Sequence, residues 1–310
     1  MSHDHPHGPH SHSHHHHIDP NAGDARVAGA IAVNLLLTLG QIVGGVVSGS
    51  MALIADAIHN LSDAIALVIA FGARKIARKP RDDTMTFGYG RAEVVAAMVN
   101  YTSLIIISVY LFAEGVSRLF NPPEIAGWTV VIVALIALII DLVTAALTYS
   151  MSKDSLNIRA AFLHNLADAA TSVAVIIAGV VILIWDWRLI DPLLTIAIAL
   201  YILWQSFAEI RPVIRILMLG APTDTKADDV AAAMAEIEGV EDVHHIHLWQ
   251  IDERRTTVEA HVVISGETTP VLTELKSVLR ERFSIAHSTL EVEAPGAGCA
   301  GGADGAQPLA

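Results

Sequence analysis

A five-residue string containing one histidine and one aspartate occurs twice in the chain with the same spacing. Residues 59–63 are HNLSD and residues 164–168 are HNLAD. A separation of four residues places His59 and Asp63, and likewise His164 and Asp168, on one face of a helix about one turn apart. Imidazole nitrogens and carboxylate oxygens both ligate metals, so the two pairs together supply four donors.

The surroundings of these strings strengthen a metal-site interpretation, because both lie in long apolar segments. An ionisable side chain within a bilayer costs about 3 kcal/mol on insertion scales, so four of them need a compensating partner such as a divalent cation. Two imidazoles and two carboxylates suit tetrahedral Zn²⁺, whereas Mg²⁺ and Mn²⁺ prefer oxygen-rich octahedral sites. The alternative is hydrogen bonding across the bundle to Asn60, Asn165, Ser62 or backbone. The occurrence of two copies favours the metal.

Six apolar segments follow an N-terminal tail, and each is long enough to cross about 30 Å of hydrocarbon as a helix. They cover approximately residues 27–47, 51–75, 92–117, 126–149, 158–184 and 190–218. A composition of 53% hydrophobic and only 16% charged residues excludes an ordinary soluble protein of this length. The net charge of −13 argues against nucleic acid as a partner.

Basic residues in the short loops predict the orientation of the spans. They are concentrated in the loops between spans 2 and 3 and between spans 4 and 5, namely Arg74, Lys75, Arg78, Lys79, Arg81, Arg91, Lys153 and Arg159. Such loops are cytoplasmic by the positive-inside rule, and an even number of spans then places both termini in the cytoplasm.

Four regions are therefore expected. Residues 1–24 form a disordered tail with nine of the sixteen histidines. This tail serves to collect metal, or it is an expression remnant or a spacer with incidental affinity. Residues 25–219 form the membrane domain, 220–294 an acidic cytoplasmic domain, and 295–310 a flexible tail. The single cysteine, Cys299, excludes an intrachain disulfide or a cysteine-based metal cluster.

The cytoplasmic region has the pattern of a small α+β domain. We predict a helix at about 225–238, strands at 240–251 and 256–264, a helix at 269–283 and a strand at 287–293. The expected fold is an antiparallel sheet with two helices, of ferredoxin-like type.

Histidines and carboxylates in these strands are candidates for a second, regulatory metal site, or are ordinary strand residues. The set comprises His244, His245, His247, His261, His287, Glu291 and Glu293. Strand alternation predicts that His245 points away from His244, and that His247 misses the site by register, unless a β-bulge redirects one of them. In the membrane region, Asp56 and Asp141 are candidates for proton relay or for holding a ligand, and structural pairing is an equal alternative.

Several strings resemble the cation diffusion facilitator family over about residues 26–294. They are Gly44-Gly45, Ser48-Gly49-Ser50, the stretch from Met51 to His59, the stretch from Phe87 to Glu93, and both HNLxD copies. The resemblance implies a homodimer that exchanges a divalent metal for protons through His59, Asp63, His164 and Asp168, in the form found in the zinc-preferring branch. It also implies cytoplasmic metal ligands at His244, His261, Glu291 and Glu293.

One family site is expected to be absent or weak in this chain. Some members bind a second metal in the loop between spans 2 and 3 through an aspartate and histidines. The comparable positions here are Asp82, Met85 and Tyr89.

The sequence thus predicts a polytopic α-helical membrane protein with six transmembrane helices and a C-terminal cytoplasmic α+β ferredoxin-like domain. Its expected function is proton-coupled export of Zn²⁺ by a homodimer embedded in the lipid of a bacterial inner membrane. Zn²⁺ is expected both as the transported ion and as a regulatory ligand. Alternatives are a carrier for cadmium or cobalt and a non-transporting metal sensor. An enzyme such as an intramembrane zinc protease is not expected, because no His-Glu-x-x-His string occurs.

Overall fold

A computed structural model describes residues 24–149 and 156–296. Most of the two predicted tails lies outside these residues. Six long helices occupy the membrane region: α1 (Asp24–Ser48), α2 (Met51–Ala77), α3 (Arg91–Phe120), α4 (Gly127–Tyr149), α5 (Leu156–Trp185) and α6 (Ile190–Leu217). Each helix begins and ends within a few residues of a predicted apolar segment, which confirms the number and placement of the segments.

The helices differ in how strongly apolar they are. Within the described residues, four stretches are long and apolar enough to cross a membrane: all of α3 and α6, the Gly127–Ala146 part of α4 and the Asn165–Trp185 part of α5. The corresponding part of α1, Asn34–Ser48, is shorter. Helix α2 has the length of a span but carries polar residues along its middle. The polar helix is therefore the one that contains the first HNLxD string.

The described chain divides into two compact units. The first consists of the chain up to Gly72 together with Val99–Ile210, and so contains most of the six helices. Its core is formed by apolar side chains from several helices, including Leu53, Leu111, Val130, Val175 and Ile202. Many other large apolar side chains on these helices are exposed, as expected of surfaces that face lipid tails.

Two close contacts fix the position of α2 and its neighbours. The carboxylate of Asp191, at the start of α6, accepts a hydrogen bond from the Ser50 hydroxyl and one of 2.9 Å from the Met51 backbone nitrogen. A carboxylate at a helix N-terminus satisfies free N–H groups and complements the helix dipole. On α1, a Cβ atom at Gly44 would lie 2.7 Å from Val133 Cγ2, so glycine permits the close approach of α1 and α4.

The second unit consists of Ala73–Met98 together with the chain from Arg211 onward. After α6 its elements are α7 (Ala227–Ala235), β1 (Val240–Gln250), β2 (Thr256–Ile264), α8 (Thr268–Phe283) and β3 (His287–Glu293). The two helices pack on one face of the sheet through a buried apolar core that includes Met234, Val258, Val262, Leu275 and Leu279. The predicted element order is confirmed.

The strands lie in the order β1-β2-β3. Strands β1 and β2 are antiparallel, as predicted for a hairpin, but β3 pairs with β2 in parallel. The prediction of an antiparallel sheet is therefore wrong for β3. The physical reason is the connection: α8 returns the chain to the end of the sheet at which β2 began, so the next strand runs in the same direction.

The loop between α2 and α3 belongs to this second unit. Arg91, the first residue of α3, donates a hydrogen bond of 3.1 Å from Nε to the carbonyl oxygen of Ile251 in the β1–β2 turn. The ring of Phe87 meets that of His287 edge-on, with centroids 6.0 Å apart. These contacts attach the loop to the β1–β2 turn and to the start of β3.

Candidate metal centres

His59 on α2 and Asp168 on α5 meet inside the helical unit. His59 Nε2 lies 3.5 Å from Asp168 Oδ1, and each residue is only 7% exposed. Bonds of about 2.0–2.1 Å at tetrahedral angles place neighbouring zinc ligands roughly 3.3 Å apart. The two atoms are therefore separated as two ligands of one ion would be, and they come from different spans.

The other two residues of the predicted tetrad, Asp63 and His164, lie on the same two helices. Their side chains are outside what the structure describes. Asp63 is four residues from His59, and His164 is four residues from Asp168. Because spans 2 and 5 cross the bundle in opposite directions, both positions lie one turn away toward the same side. The complete tetrad stays a prediction that the backbone permits.

A chain of hydrogen bonds holds the residues on either side of His59. Gln41 on α1 donates from Nε2 to Asp56 Oδ2 at 2.7 Å, and its Oε1 accepts from Asn60 Nδ2 at 3.1 Å. Asp56 is 1% exposed, and its Oδ1 has no hydrogen-bond partner among the described residues. Asp56 is thus a buried carboxylate one turn from His59. Gln41 is not among the residues predicted from the sequence, although a lone amide in an apolar span was the available signal.

Asp141, the second candidate relay residue, lies on α4 and is buried. Its Oδ2 accepts a hydrogen bond of 3.1 Å from the hydroxyl of Ser172 on α5. Ser172 is four residues beyond Asp168, so Asp141 contacts α5 one turn from the Asp168 position. One carboxylate oxygen of Asp141 is therefore engaged in structural pairing with Ser172.

A second cluster lies on the sheet of the other unit. His244 and His261 are direct partners across β1 and β2, and Glu293 on β3 reaches both of them. One ligand atom from each of these three residues lies within 4.8 Å of the others. Glu293 Oε1 is 2.8 Å from His261 Nδ1, while Oε2 is 3.5 Å from His244 Nε2.

The donor set of this cluster fits a metal ion. His244 Nε2 and Glu293 Oε2 are buried, face each other, and have no hydrogen-bond partner among the described residues. Buried polar atoms are normally satisfied, and a cation between the two atoms would satisfy both. Glu291, also predicted as a ligand, places Oε2 3.5 Å from His261 Nε2, but its side chain is 68% exposed. It lies at the edge of the cluster.

Asp242 is a further residue of this cluster and was not predicted from the sequence. Its Oδ2 lies 2.8 Å from Nδ1 of His244. A carboxylate at one ring nitrogen fixes the proton there and leaves the lone pair of the other nitrogen available to a metal. For His244 that other nitrogen is Nε2, which faces Glu293. A carboxylate two residues before a strand histidine lies on the same strand face, which was the available signal.

The expected direction of His245 is wrong. A β-bulge lies between His244 and His247, where three steps along β1 match two steps along β2. His245 has a φ of +52°, and the ring of His245 lies against that of His261, with centroids 5.1 Å apart. A non-glycine residue in this region is disfavoured by roughly 1–2 kcal/mol. The bulge brings His245 to the side of the strand that carries His244. Strand alternation alone cannot predict where such a bulge occurs.

His247 and His287 are not brought to the cluster. His247 is exposed and pairs with Glu259 beyond the bulge. His287 pairs with Thr257, four residues along β2 from His261, and its ring meets Phe87.

The loop candidate Asp82 has its carboxylate engaged within its own turn. Oδ1 accepts from the Thr84 and Met85 backbone nitrogens at 2.9 and 2.8 Å, and Oδ2 accepts from the Tyr89 hydroxyl at 2.6 Å. The Tyr89 bond is the first of several hydrogen bonds that hold the pKa of Asp82 well below its ordinary value. In the described part of the chain, Asp82 belongs to no group of three metal-ligating residues.

The fold and the apolar helices define an integral membrane protein with a histidine and a carboxylate from two different helices paired inside its bundle. Comparison with known proteins supports this class of protein. Residues 27–218 match the model of the cation efflux transmembrane domain, and residues 222–295 match that of the cation efflux protein cytoplasmic domain. The chain belongs to the cation efflux family of transporters, the cation diffusion facilitators.

Curated relatives align over most of this chain. The metal cation efflux system protein CzcD of Cupriavidus metallidurans is 33% identical over 94% of this chain and 89% of its own length. The zinc transporter ZitB of Escherichia coli is 32% identical, covering 94% and 93%. The cadmium, cobalt and zinc/H(+)-K(+) antiporter of Bacillus subtilis is 33% identical, covering 82% and 83%.

Among solved structures, the metal-bound C-terminal domain of the CzcD transporter is similar to this chain at 29% identity. The match covers 22% of this chain and 99% of that domain, with a TM-score of 0.21.

Proposed function

We propose that the protein exports Zn²⁺ from the cytoplasm in exchange for protons, through a site formed by His59, Asp63, His164 and Asp168. The observation that carries this proposal is the approach of His59 Nε2 to Asp168 Oδ1, at 3.5 Å, from two different spans. Relatives named as zinc transporters and as a metal/H(+)-K(+) antiporter support both the ion and the coupling.

Proton exchange follows from the chemistry of the ligands. Imidazole, with an ordinary pKa near 6.5, must be neutral to ligate a metal and is readily protonated once the metal leaves. His59 and His164 then carry protons in one direction and ligate zinc in the other. Asp56, buried beside this site with one oxygen that has no hydrogen-bond partner among the described residues, is the candidate proton acceptor.

The cytoplasmic cluster has a regulatory role in this proposal. His244, His261 and Glu293 bind metal when cytoplasmic zinc rises, and binding favours the transporting state of a homodimer. Support comes from the two buried atoms that face each other without hydrogen bonds, and from the match of this region to the family's cytoplasmic domain.

The setting is a bacterial inner membrane, with both termini in the cytoplasm. The basic loops after spans 2 and 4 support this orientation. Residues 1–17 collect metal for the transport site. Deleting them is expected to lower the apparent affinity for zinc in a transport assay while the maximal rate is kept, and an unchanged affinity would contradict the collecting role.

A second candidate is a broader carrier that also moves Cd²⁺ and Co²⁺. The favouring observation is the Bacillus subtilis relative, whose name includes cadmium and cobalt. Competition of each ion against zinc uptake at equal free concentration separates the two candidates.

The direct test is uptake of radioactive zinc by proteoliposomes under an imposed proton gradient. The proposal expects zinc to enter only when protein is present, and to accumulate further when the lumen is acidic. If zinc binds to the protein but does not enter the lumen, transport is refuted and the protein is a metal sensor. Zinc that enters without responding to the proton gradient would contradict the coupling.

A further inference from the structure

His245 adopts a backbone conformation that its residue type disfavours. Four non-glycine residues of the described chain have positive φ. Asp186, Leu219 and Ser284 lie just after helices, while His245, at +52°, lies inside a strand. The corresponding position of a β-bulge is usually glycine, because glycine has no Cβ to clash. A strained residue persists when its surroundings impose it, and such residues concentrate at functional sites.

The bulge places a third imidazole against the cytoplasmic cluster. The ring centroid of His245 is 5.1 Å from that of His261 and 6.0 Å from that of His244, and the latter two are 5.5 Å apart. The three rings therefore form a compact triangle on one face of β1 and β2. Without the bulge, strand alternation would point His245 to the opposite face.

Contacts between half-exposed imidazoles stabilise a fold only weakly, and protonation makes them repulsive. They do not by themselves explain a histidine at a position suited to glycine. A shared metal does, because it binds neutral imidazoles and favours their convergence. Glu293 already presents an oxygen without a hydrogen-bond partner to the same region.

We infer that His245 is the third imidazole ligand of the cytoplasmic metal, completing a set with His244, His261 and Glu293. This rests on the proposed function of the cluster and assigns its selectivity. Three nitrogens and one carboxylate suit Zn²⁺, Co²⁺ and Ni²⁺, and disfavour Mg²⁺, Ca²⁺ and Mn²⁺. The cluster therefore responds to the transition ions that the membrane site could carry, and ignores the abundant hard cations.

The test uses Co²⁺ titration, in detergent, of purified protein that lacks residues 1–17, because the histidines of that tail would also bind Co²⁺. Asp168→Ala is added to weaken the membrane site. The visible absorption of bound Co²⁺ reports both affinity and ligand field. His245→Gly and His245→Asn both accept positive φ and so retain the bulge. We expect either change to raise the Kd about tenfold or more and to alter the visible band, as loss of a nitrogen donor requires.

Thermal unfolding of the metal-free variants separates ligation from packing. We expect no fall in melting temperature, because both replacements tolerate the backbone better than histidine does. His247→Ala, at the neighbouring exposed histidine, is the matched control and is expected to leave the titration unchanged. An unaltered Kd in both His245 variants overturns the inference, and so does a joint fall in affinity and metal-free melting temperature.

Failure of the inference can be told from failure of the regulatory site. If His244→Ala and His261→Ala abolish the same titration step while His245→Gly keeps it, only the role of His245 is overturned. If His244→Ala and His261→Ala also leave every step unchanged, the cytoplasmic site itself is wrong, and the role of His245 falls with it.

Discussion

The membrane site and the cytoplasmic cluster use the same kinds of side chain in opposite surroundings. The side chains of His59 and Asp168 are 9% and 10% exposed within a helical bundle, whereas those of His244 and His261 are 28% and 20% exposed on a sheet. Burial makes an uncompensated charge costly, so the membrane site is under pressure to hold either a cation or protons. The two histidine side chains of the cluster lie partly exposed on the sheet. The buried membrane site suits exchange of a metal ion for protons, and the partly exposed cluster suits reversible sensing of a metal ion.

The two sites also differ in how their ligands are brought together. The candidate membrane ligands repeat at helical spacing, with one His–Asp pair on each of two helices. The candidate cytoplasmic ligands come from three strands, one cross-strand pair and a bulge. In the proposed function, a substitution in the membrane site acts on the transported ion, while one in the sheet acts on a regulatory metal.

The largest effect is expected for Asp168→Ala. Loss of this carboxylate removes a ligand and leaves His59 without the oxygen that lies 3.5 Å from Nε2. Zinc-driven proton flux, followed with a pH-sensitive dye in sealed vesicles, is expected to fall to the level of protein-free vesicles. Asp63→Ala is expected to do the same. Asp186→Ala, at an exposed carboxylate in the loop after α5, is the control, and flux retained by Asp168→Ala would refute the membrane site.

A smaller and different effect is expected for the double variant His244→Ala/His261→Ala. The transport site is intact, so the maximal rate of zinc uptake persists. The zinc concentration that half-activates transport is expected to rise about fivefold or more, the usual scale of coupling between two sites. The measurement is uptake against free zinc. Equal loss of maximal rate in this variant and in Asp168→Ala would remove the distinction between the sites.

Asp56→Asn tests the link between metal and protons within the membrane unit. Asparagine still accepts a hydrogen bond from Gln41 but cannot titrate. Proton-coupled uptake is expected to slow severalfold and lose pH dependence, while zinc affinity changes little. Gln41→Leu, which breaks the network without removing a titratable group, is the matched comparison. Weakened zinc binding with intact pH dependence in Asp56→Asn would instead assign Asp56 to holding the site.

The smallest effect is expected for Asp82→Asn, in the loop that belongs to the second unit. Because the folded-state pKa of Asp82 is lowered, its charged form contributes stability at pH values above the ordinary pKa of about 4. That contribution is lost as the pH falls below this value. A small fall in melting temperature at neutral pH is expected, with zinc affinity unchanged. Asp83→Asn, at the adjacent exposed carboxylate, controls for the lost charge, and weakened zinc binding in Asp82→Asn alone would restore the loop site.

The membrane half was predictable because its constraints are local. A bilayer requires continuous apolar segments, and ligands four residues apart on a helix lie on one face wherever that helix packs. The six helices and the helix face shared by each His–Asp pair therefore followed from composition and spacing, whereas the approach of His59 to Asp168 required α2 to pack on α5. The hydrogen bonds from Gln41 to Asp56 and from Asn60 to Gln41 could not be predicted either, because nothing local indicates which face of α1 packs on α2.

The cytoplasmic half was predictable as elements but not as a site. Alternation located the strands within a few residues, but the pairing of His244 with His261 depended on the register of the hairpin. The parallel direction of β3 depended on the α8 crossover, and the position of His287 depended on the resulting register.

Sequence alone determined the class of protein and the two His–Asp pairs, because residue type and short spacing carry that information, and it supplied candidate donors for both sites. Only the tertiary structure decided that Asp242 orients His244, that Asp82 is committed to its own turn, and that His245 lies with His261 rather than opposite it. A one-residue bulge reverses the direction of a strand side chain, and its position is set by packing across the whole sheet.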